Sequence, residues 1–180
     1  MIIHLVGTAG TGKSFLSRNF ENIANVIEVG SWDYEYSLTK GKKTHAGFKK
    51  FIDKKLKAAI KPKSTKPTIL VGFLDTFVEN KMFIYDLKAD HKIFLLVDVD
   101  TLFKQYNRRL INDVCNHSKM YMDEIENKLI PQFKSYAQII RESEEDQRNY
   151  ITKLKYKGLN QLEAFTALDK LVKKKVKDNT

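Results

Sequence analysis

The sequence has little cysteine, proline or arginine, with one, three and five residues of each in a chain of 180. The lone Cys115 excludes an internal disulfide and suits a reducing compartment. No run of about eighteen apolar residues occurs, which excludes an ordinary membrane-spanning helix, and the first residues do not resemble a secretory leader. We therefore expect a cytoplasmic, single-domain protein spanning residues 1–180, and the lysine- and asparagine-rich usage suits a microbial or large-virus genome.

Lysine, in contrast, is abundant, and it gives the chain a net charge of +10. Residues 40–67 hold eleven lysines and one acid, Asp53. Such a segment can attract phosphorylated substrates or nucleic acid, or it can be a solvated helix face. Few arginines or aromatic residues accompany the lysines, so a nucleic-acid partner is possible but not favoured.

The most specific motif follows the first apolar run. Ile2-Ile3-His4-Leu5-Val6 leads into Gly7-Thr8-Ala9-Gly10-Thr11-Gly12-Lys13-Ser14, which fits G-x-x-x-x-G-K-[ST]. In this phosphate-binding loop the glycines let backbone N–H groups surround a polyphosphate, the lysine reaches the β- and γ-phosphates, and the serine hydroxyl ligates Mg²⁺. An apolar strand before the motif and an amphipathic helix after it are the required context. The sequence therefore predicts a site for a nucleoside triphosphate such as ATP.

Apolar runs alternate with helical periodicity along the chain, which is typical of βαβ units. We predict a three-layer α/β fold with a parallel sheet of about five strands. Predicted strands are 2–6, 26–29, 68–73 and 93–97, with a small extra strand at 82–85, and predicted helices are 13–24, 46–60, 100–115, 118–129, 131–149 and 160–175. Residues 150–156 fit either a fifth strand or more helix.

Three patches of the sequence resemble P-loop kinases of the nucleoside-monophosphate-kinase (adenylate-kinase-like) type. The first is the phosphate loop, whose extra Gly10 is similar to the family's G-x-x-G-x-G-K pattern. The second is the segment 69–76, ILVGFLDT, and the third is the segment 94–109, which ends in Arg108-Arg109. The resemblance implies a three-layer kinase fold, a basic acceptor-side helical segment at 40–67 and a helical lid-like region at 110–150.

The same patches depart from the family pattern at three positions. Val71 stands where the family has an aspartate, Asp75 where it has a substrate-binding arginine, and Gln105 where it has the first arginine of the lid helix. The resemblance therefore extends to the fold and the triphosphate site, while part of the usual clamp on an acceptor phosphate is missing.

Phosphoryl transfer mainly requires positioned charge, and the sequence offers candidates for each part. Lys13 and the loop amides are expected to hold the phosphates. Ser14 and one carboxylate are expected to hold Mg²⁺; both Asp75 and Asp98 follow apolar strands, and Asp75 is favoured because in this class of kinase its strand adjoins the P-loop strand. The alternative for Asp98 is a helix N-cap.

The remaining candidates concern the acceptor and the transferring group. Asp33 follows the second strand, where an acid binds the acceptor hydroxyl in sugar and nucleoside kinases of this superfold, and Trp32 beside it is either a stacking floor or packed into the domain. Arg109, with Arg108 second, is the expected cation over the transferring phosphoryl group.

These residues predict an ATP- and Mg²⁺-dependent phosphotransferase that acts on a nucleotide, a nucleoside or another small, anionic acceptor. Two alternatives remain open at this point. One is a catalytically weak nucleotide-binding regulatory or structural subunit, and the other is a polynucleotide 5′-kinase. No N-K-x-D guanine motif occurs, and no pair of histidines has the spacing of zinc ligands.

Overall fold

The computed structural model describes residues 1–60, 64–78, 81–116 and 133–178. The strands are β1 (Ile2–Val6), β2 (Asn25–Glu28), β3 (Thr68–Val71), β4 (Asp75–Val78), β5 (Lys81–Ile84), β6 (His91–Leu95) and β7 (Lys157–Leu159). The α-helices are α1 (Lys13–Arg18), α2 (Trp32–Ser37), α3 (His45–Ala59), α4 (Val99–Asn116), α5 (Tyr136–Gln147) and α6 (Gln161–Lys177), and a π-helical segment (Arg148–Lys153) follows α5.

Five of the strands form one parallel sheet in the order β2-β3-β1-β6-β7. The central strand β1 pairs Leu5 with Val71 of β3 on one side and with Ile93 of β6 on the other. Leu5, Val71 and Ile93 are all buried, as expected for strands of a parallel sheet that is covered on both faces. The predicted α/β class and strand count are confirmed.

Helices cover the two faces of the sheet through separate apolar clusters. Leu16 of α1, Phe20 just after this helix and Leu168 of α6 pack against one face. Helices α2 and α3 pack Trp32 and Phe48 against the other face. Alternate residues of the buried strands point into alternate clusters, since Ile69 and Val71 lie in the first cluster and Leu70 in the second. The three predicted layers follow from this arrangement.

Several elements differ from the sequence predictions. Helix α1 ends at Arg18 rather than near residue 24, because the Asn19 amide donates hydrogen bonds to the carbonyls of Phe15 and Leu16, which the next backbone N–H groups would otherwise use. A β4–β5 hairpin occurs where only the second strand was expected, and the undecided segment 150–156 begins as π-helix before β7. The predicted helix at 118–129 lies outside the described residues, as does much of the lid-like region 110–150.

A close approach of two loops shapes the edge of the sheet beyond β2 and β3. Gly72 has φ of +113°, and a Cβ added there would lie 2.7 Å from the backbone nitrogen of Gly30. Only glycine combines this backbone conformation with this contact. The loops that follow β2 and β3 are therefore held together immediately before the residues expected to face the acceptor.

His4 is a fully buried polar side chain in the central strand. Its Nε2 lies 2.8 Å from the Gly72 carbonyl, which can only accept, so Nε2 carries the proton and Nδ1 accepts from the Tyr156 hydroxyl at 2.7 Å. Burial lowers the pKa of His4 to about 4, against a smaller opposing effect of the Gly72 carbonyl. The neutral imidazole therefore links β1 to Gly72, just after β3, and to Tyr156, just before β7.

None of the helices in the described ranges is both long enough and apolar enough to cross a membrane.

His4 is expected to make the protein sensitive to acid. Its pKa is lower in the folded state than in the unfolded chain, so the unfolded state takes up the proton first as pH falls, and stability is lost between about pH 6.5 and pH 4. In His4→Gln, whose amide can make both hydrogen bonds without titrating, this loss is absent. Urea denaturation across that range should give a wild-type-minus-variant free energy of unfolding that falls by about 2–3 kcal/mol. A pH-independent difference would contradict the assignment.

Candidate functional site

Strand ends from both halves of the sheet meet the phosphate loop at one edge. Because all five strands are parallel, the loops after β2 and β3 lie on one side of the loop after β1, and those after β6 and β7 lie on the other. Ligands of such sheets bind beyond the carboxyl ends of the strands. The first side carries Asp33 and Asp75, and the second carries Asp98 and Gln161.

The phosphate loop has the backbone that its glycines permit. Gly10 and Gly12 have φ of +87° and +86°, in the left-handed region that glycine adopts freely. The Lys13 ammonium group bends back over the loop and donates to the carbonyls of Gly7 at 2.5 Å and Thr8 at 3.0 Å. Thr11 contributes a buried hydroxyl oxygen without a protein partner. The loop therefore has the form of a phosphate cradle, with its lysine occupied by main-chain oxygens.

Lys13 is a buried cation among charged neighbours. Burial lowers its pKa to about 8, while the carboxylates of Asp146 and Glu28 favour the charged form and Arg109 opposes it. The ring of Phe73 lies 5.7 Å from the ammonium nitrogen. A phosphate bound beside Lys13 would therefore stabilise its charged form, because it would replace the solvation that burial removes.

A cavity of about 500 Å³ opens beside the loop on the β6 side. Arg109 and Gln105 of α4 line it, together with Gln161 at the start of α6 and the exposed ring of Phe15. Its remaining lining residues belong to the phosphate loop: Gly10, Gly12, Lys13 and Ser14. Arg108 is exposed and is not among the lining residues. Of the two predicted arginines, therefore, Arg109 is the one that borders the loop.

Asp98 lies at the neighbouring cavity of about 290 Å³, which shares Gln161 with the first. Its carboxylate accepts from the backbone N–H of Thr101 at 2.8 Å, and this hydrogen bond lowers its pKa. Asp98 is thus occupied as a cap at the start of α4, which was the alternative considered from the sequence. Its assignment as a metal ligand stays a prediction, and Asp75 remains the favoured carboxylate.

Asp75 lies on the other side of the loop, at the first residue of β4. Burial raises its pKa to about 6, and the nearby charge of Asp33 adds to the increase. The Tyr150 hydroxyl donates to its Oδ2 at 3.3 Å. Asp33 itself is exposed on α2, whereas Trp32 is 5% exposed and belongs to the apolar core, so the interpretation of Trp32 as a stacking floor is wrong.

Sequence reasoning missed Asp146, which lies near the end of α5. Its carboxylate is hydrogen-bonded to the Thr8 side chain and interacts with the charges of Lys13 and Asp75. Burial raises its pKa to about 6. No motif marks this residue; the available signal was its spacing of four from Tyr150, which places both residues on one side of a continuing helical segment.

In the described parts of the chain, no group of three or more His, Cys, Asp or Glu side chains is arranged to hold a metal ion. A serine hydroxyl with one carboxylate is a smaller set. It still fits Mg²⁺, which binds oxygen ligands and usually keeps waters and substrate phosphates in its coordination shell.

Comparison of sequences gives no relatives: neither a family model nor a curated protein matches this chain. Among solved structures, it is similar to shikimate kinase from Bacteroides thetaiotaomicron, with 19% identity, coverage of 96% of this chain and 98% of that chain, and a TM-score of 0.52. A second similar structure is tRNA delta(2)-isopentenylpyrophosphate transferase from Staphylococcus epidermidis, with 11% identity, coverage of 96% and 99%, and a TM-score of 0.48.

At 19% identity the likeness to shikimate kinase concerns the fold alone. This likeness extends over nearly the whole chain and supports the three-layer α/β fold. It does not single out the adenylate-kinase-like type that the sequence patches suggested.

Binding of a nucleoside triphosphate is expected to take up a proton near pH 8. A bound phosphate favours the charged ammonium, so it raises the pKa of Lys13 from its value of about 8. Calorimetry with ADP or ATP at pH 8, in two buffers of different ionisation enthalpy, should report an uptake of roughly half a proton. Lys13→Arg keeps the charge without titrating and should abolish the uptake. Equal heats in the two buffers for the wild-type protein would contradict the expectation.

Proposed function

We propose that this protein is an ATP-dependent phosphotransferase that uses Mg²⁺ and acts on a nucleotide, a nucleoside or another small hydroxyl acceptor. The observation that carries the proposal is the position of the phosphate loop. The loop borders a cavity lined by Arg109 on one side, while carboxylates lie near Lys13 on the other. A transfer site needs these two halves, one for the donor and one for the acceptor.

The donor half of the site would bind a whole nucleotide. The loop amides and Lys13 hold the β- and γ-phosphates, and the nucleoside part extends into the cavity of about 500 Å³. Phe15, 79% exposed at the edge of this cavity, supplies a ring on which a base stacks. The amide of Gln161 donates to the Thr11 carbonyl at 3.1 Å and so fixes the cavity wall to the loop.

Ser14 and Asp75 are the residues that would hold Mg²⁺. Their donor atoms, a hydroxyl and a carboxylate oxygen, suit this cation, and Ser14 lines the nucleotide cavity. When bound, the ion supplies neutralisation of charge on the β- and γ-phosphates. Tyr150 orients the Asp75 carboxylate through its hydroxyl.

The transfer itself follows an in-line course. The acceptor oxygen forms a bond to the γ-phosphorus as the bond to the β–γ bridging oxygen breaks and ADP leaves. Asp33, on the acceptor side, receives the proton of the acceptor hydroxyl. Arg109 on α4 stabilises the charge on the transferring group, and its place on the cavity wall supports this role.

The first test is release of ADP from ATP and Mg²⁺ across a panel of nucleosides, ribo- and deoxynucleoside monophosphates, small polyols and a 5′-hydroxyl oligonucleotide. We expect turnover with one class of acceptor and a loss of 10³-fold or more in Lys13→Ala, because the variant lacks the charge on the β- and γ-phosphates. Lys170→Ala, which removes an exposed lysine of α6, is the matched control and should retain activity.

The outcomes of this test separate the alternatives. ATP binding without acceptor-dependent turnover would favour a nucleotide-binding subunit over an enzyme. Turnover with the oligonucleotide and an affinity that falls steeply with salt would favour a polynucleotide 5′-kinase. Chelation of Mg²⁺ should abolish turnover if the proposed metal role is right.

A second prediction compares the two adjacent arginines of α4. Arg109 lines the nucleotide cavity and interacts with Lys13, whereas Arg108 is not among the lining residues. Arg109→Ala should therefore lower kcat by about 10²–10³-fold, and Arg108→Ala by less than about tenfold. Steady-state kinetics with saturating ATP measures both. The reverse order of effects would show that the other arginine closes on the transferring group.

A further inference from the structure

We infer that the acceptor is an uncharged hydroxyl compound, received beside Lys13 by a wall of carboxylate and aromatic side chains, and not a phosphate monoester or a carboxylic acid. The inference rests on the proposed function and names the substrate class of that site. It differs from the expectation of an anionic acceptor, which depended on the lysines of residues 40–67.

The charges on the acceptor side are the first argument. Asp33, Asp75 and Asp146 come from α2, β4 and α5, three separate elements that converge beside the phosphate loop. Asp33 acts on Asp75, and the charges that act on Asp146 are those of Asp75, Lys13 and Glu142, the last of which is paired with Lys134. During transfer Lys13, and the Mg²⁺ that Asp75 would hold, are engaged by the donor phosphates, so Asp33 and Asp146 are the carboxylates left on the acceptor side. An anionic acceptor would therefore add negative charge where negative charge already accumulates.

The aromatic part of the wall is the second argument. The ring of Phe73 lies 5.7 Å from the Lys13 nitrogen and 4.7 Å from the centre of the Tyr150 ring. Tyr150 is 1% exposed, and its hydroxyl holds the Asp75 carboxylate in place. Tyr150 is thus part of the core, and Phe73, which is only partly buried, is the ring of this pair that an acceptor can contact. A ring beside a fixed carboxylate suits a compound that has hydroxyl donors and an apolar face, such as a sugar or a nucleoside.

The position of the basic segment is the third argument. Helix α3 carries most of the described lysines of residues 40–67. Leu56 and Ile60, at the end of this helix, line a cavity together with Ile2, the first residue of β1. The last turns of α3 are thus near the amino ends of the strands, opposite the phosphate loop. Lys55 of this helix pairs with Glu35 of α2. The lysines of the last turns of α3 therefore lie away from the acceptor side.

The arrangement also suits the product. Transfer joins the acceptor oxygen to the γ-phosphorus, breaks the bond to the bridging oxygen, and passes the hydroxyl proton to Asp33 and then to solvent. A neutral acceptor enters without repulsion and leaves as a phosphate monoester, which the same carboxylates repel. Repulsion by the same carboxylates thus disfavours an anionic acceptor and favours release of the anionic product.

The test uses acceptors matched in shape and different in charge, assayed with the full chain, ATP and Mg²⁺. Each nucleoside is paired with its own 3′-monophosphate, which keeps the 5′-hydroxyl, and glucose is paired with glucuronate, which keeps the ring. The uncharged member of the productive pair should have a kcat/KM about 100-fold above that of its anionic partner.

Two variants of α5 make the cause measurable. Asp146→Asn removes one carboxylate of the wall and should raise the anionic-to-uncharged ratio of kcat/KM about tenfold. Glu145→Gln makes the same charge change at an exposed neighbouring position and should leave this ratio within about twofold. Because the readout is a ratio between two acceptors, a general loss of folded protein does not change it.

The outcomes distinguish the two proposals. Preferred turnover of a monophosphate or a carboxylic acid would overturn this inference and leave the phosphotransferase function standing. An unchanged ratio in Asp146→Asn would also overturn it. ATP binding with no turnover of any acceptor would overturn the proposed function, and the inference with it.

Discussion

The parallel pairing of β1 with β3 on one side and β6 on the other is the constraint on which the site depends. Because the three strands run in one direction, the loop after β1 emerges between the ends of its neighbours. The proposed donor and acceptor halves of the site then lie on different sides of this loop, one beyond β6 and β7 and the other beyond β2 and β3. His4 and the contact between Gly72 and Gly30 hold this edge in register through buried hydrogen bonds and close backbone packing.

The second constraint is electrostatic, and it centres on a lysine that the fold buries. A buried ammonium needs compensation, and here it comes from loop carbonyls and from carboxylates that are themselves partly desolvated. Burial moves the pKa of Lys13 down and that of Asp146 up, so each group is less strongly charged than it would be in water. A phosphate bound beside Lys13 stabilises the charged ammonium group. A further negative charge placed beside Asp146 destabilises its charged carboxylate.

Local pattern was enough to predict four of the five strands of the sheet, the phosphate loop and the helices α3, α4 and α6, because their signals are short-range: apolar runs, glycine spacing and helical periodicity. It left the fifth strand, β7, undecided. It did not predict where α1 ends, since that depends on which carbonyls the Asn19 side chain occupies. It also missed β4, the first strand of the β4–β5 hairpin, which has only four residues and little alternation. Sequence reasoning missed Asp146 for a different reason: its position beside the phosphate loop depends on interactions with Thr8 and Asp75, which are far away in the sequence.

The same distinction explains how the lysine-rich segment suggested one acceptor and the folded chain another. Composition measures how much charge a segment carries, whereas a binding site depends on which charges the fold brings to one edge. Helix α3 places its apolar face on the sheet and extends toward the amino ends of the strands, so its lysines are distributed along the outside of the domain. The side that we propose receives the acceptor instead has Asp33, Asp75 and Asp146, three acids spread through the sequence. A net charge of +10 is therefore compatible with an acceptor site in which carboxylates outnumber cations.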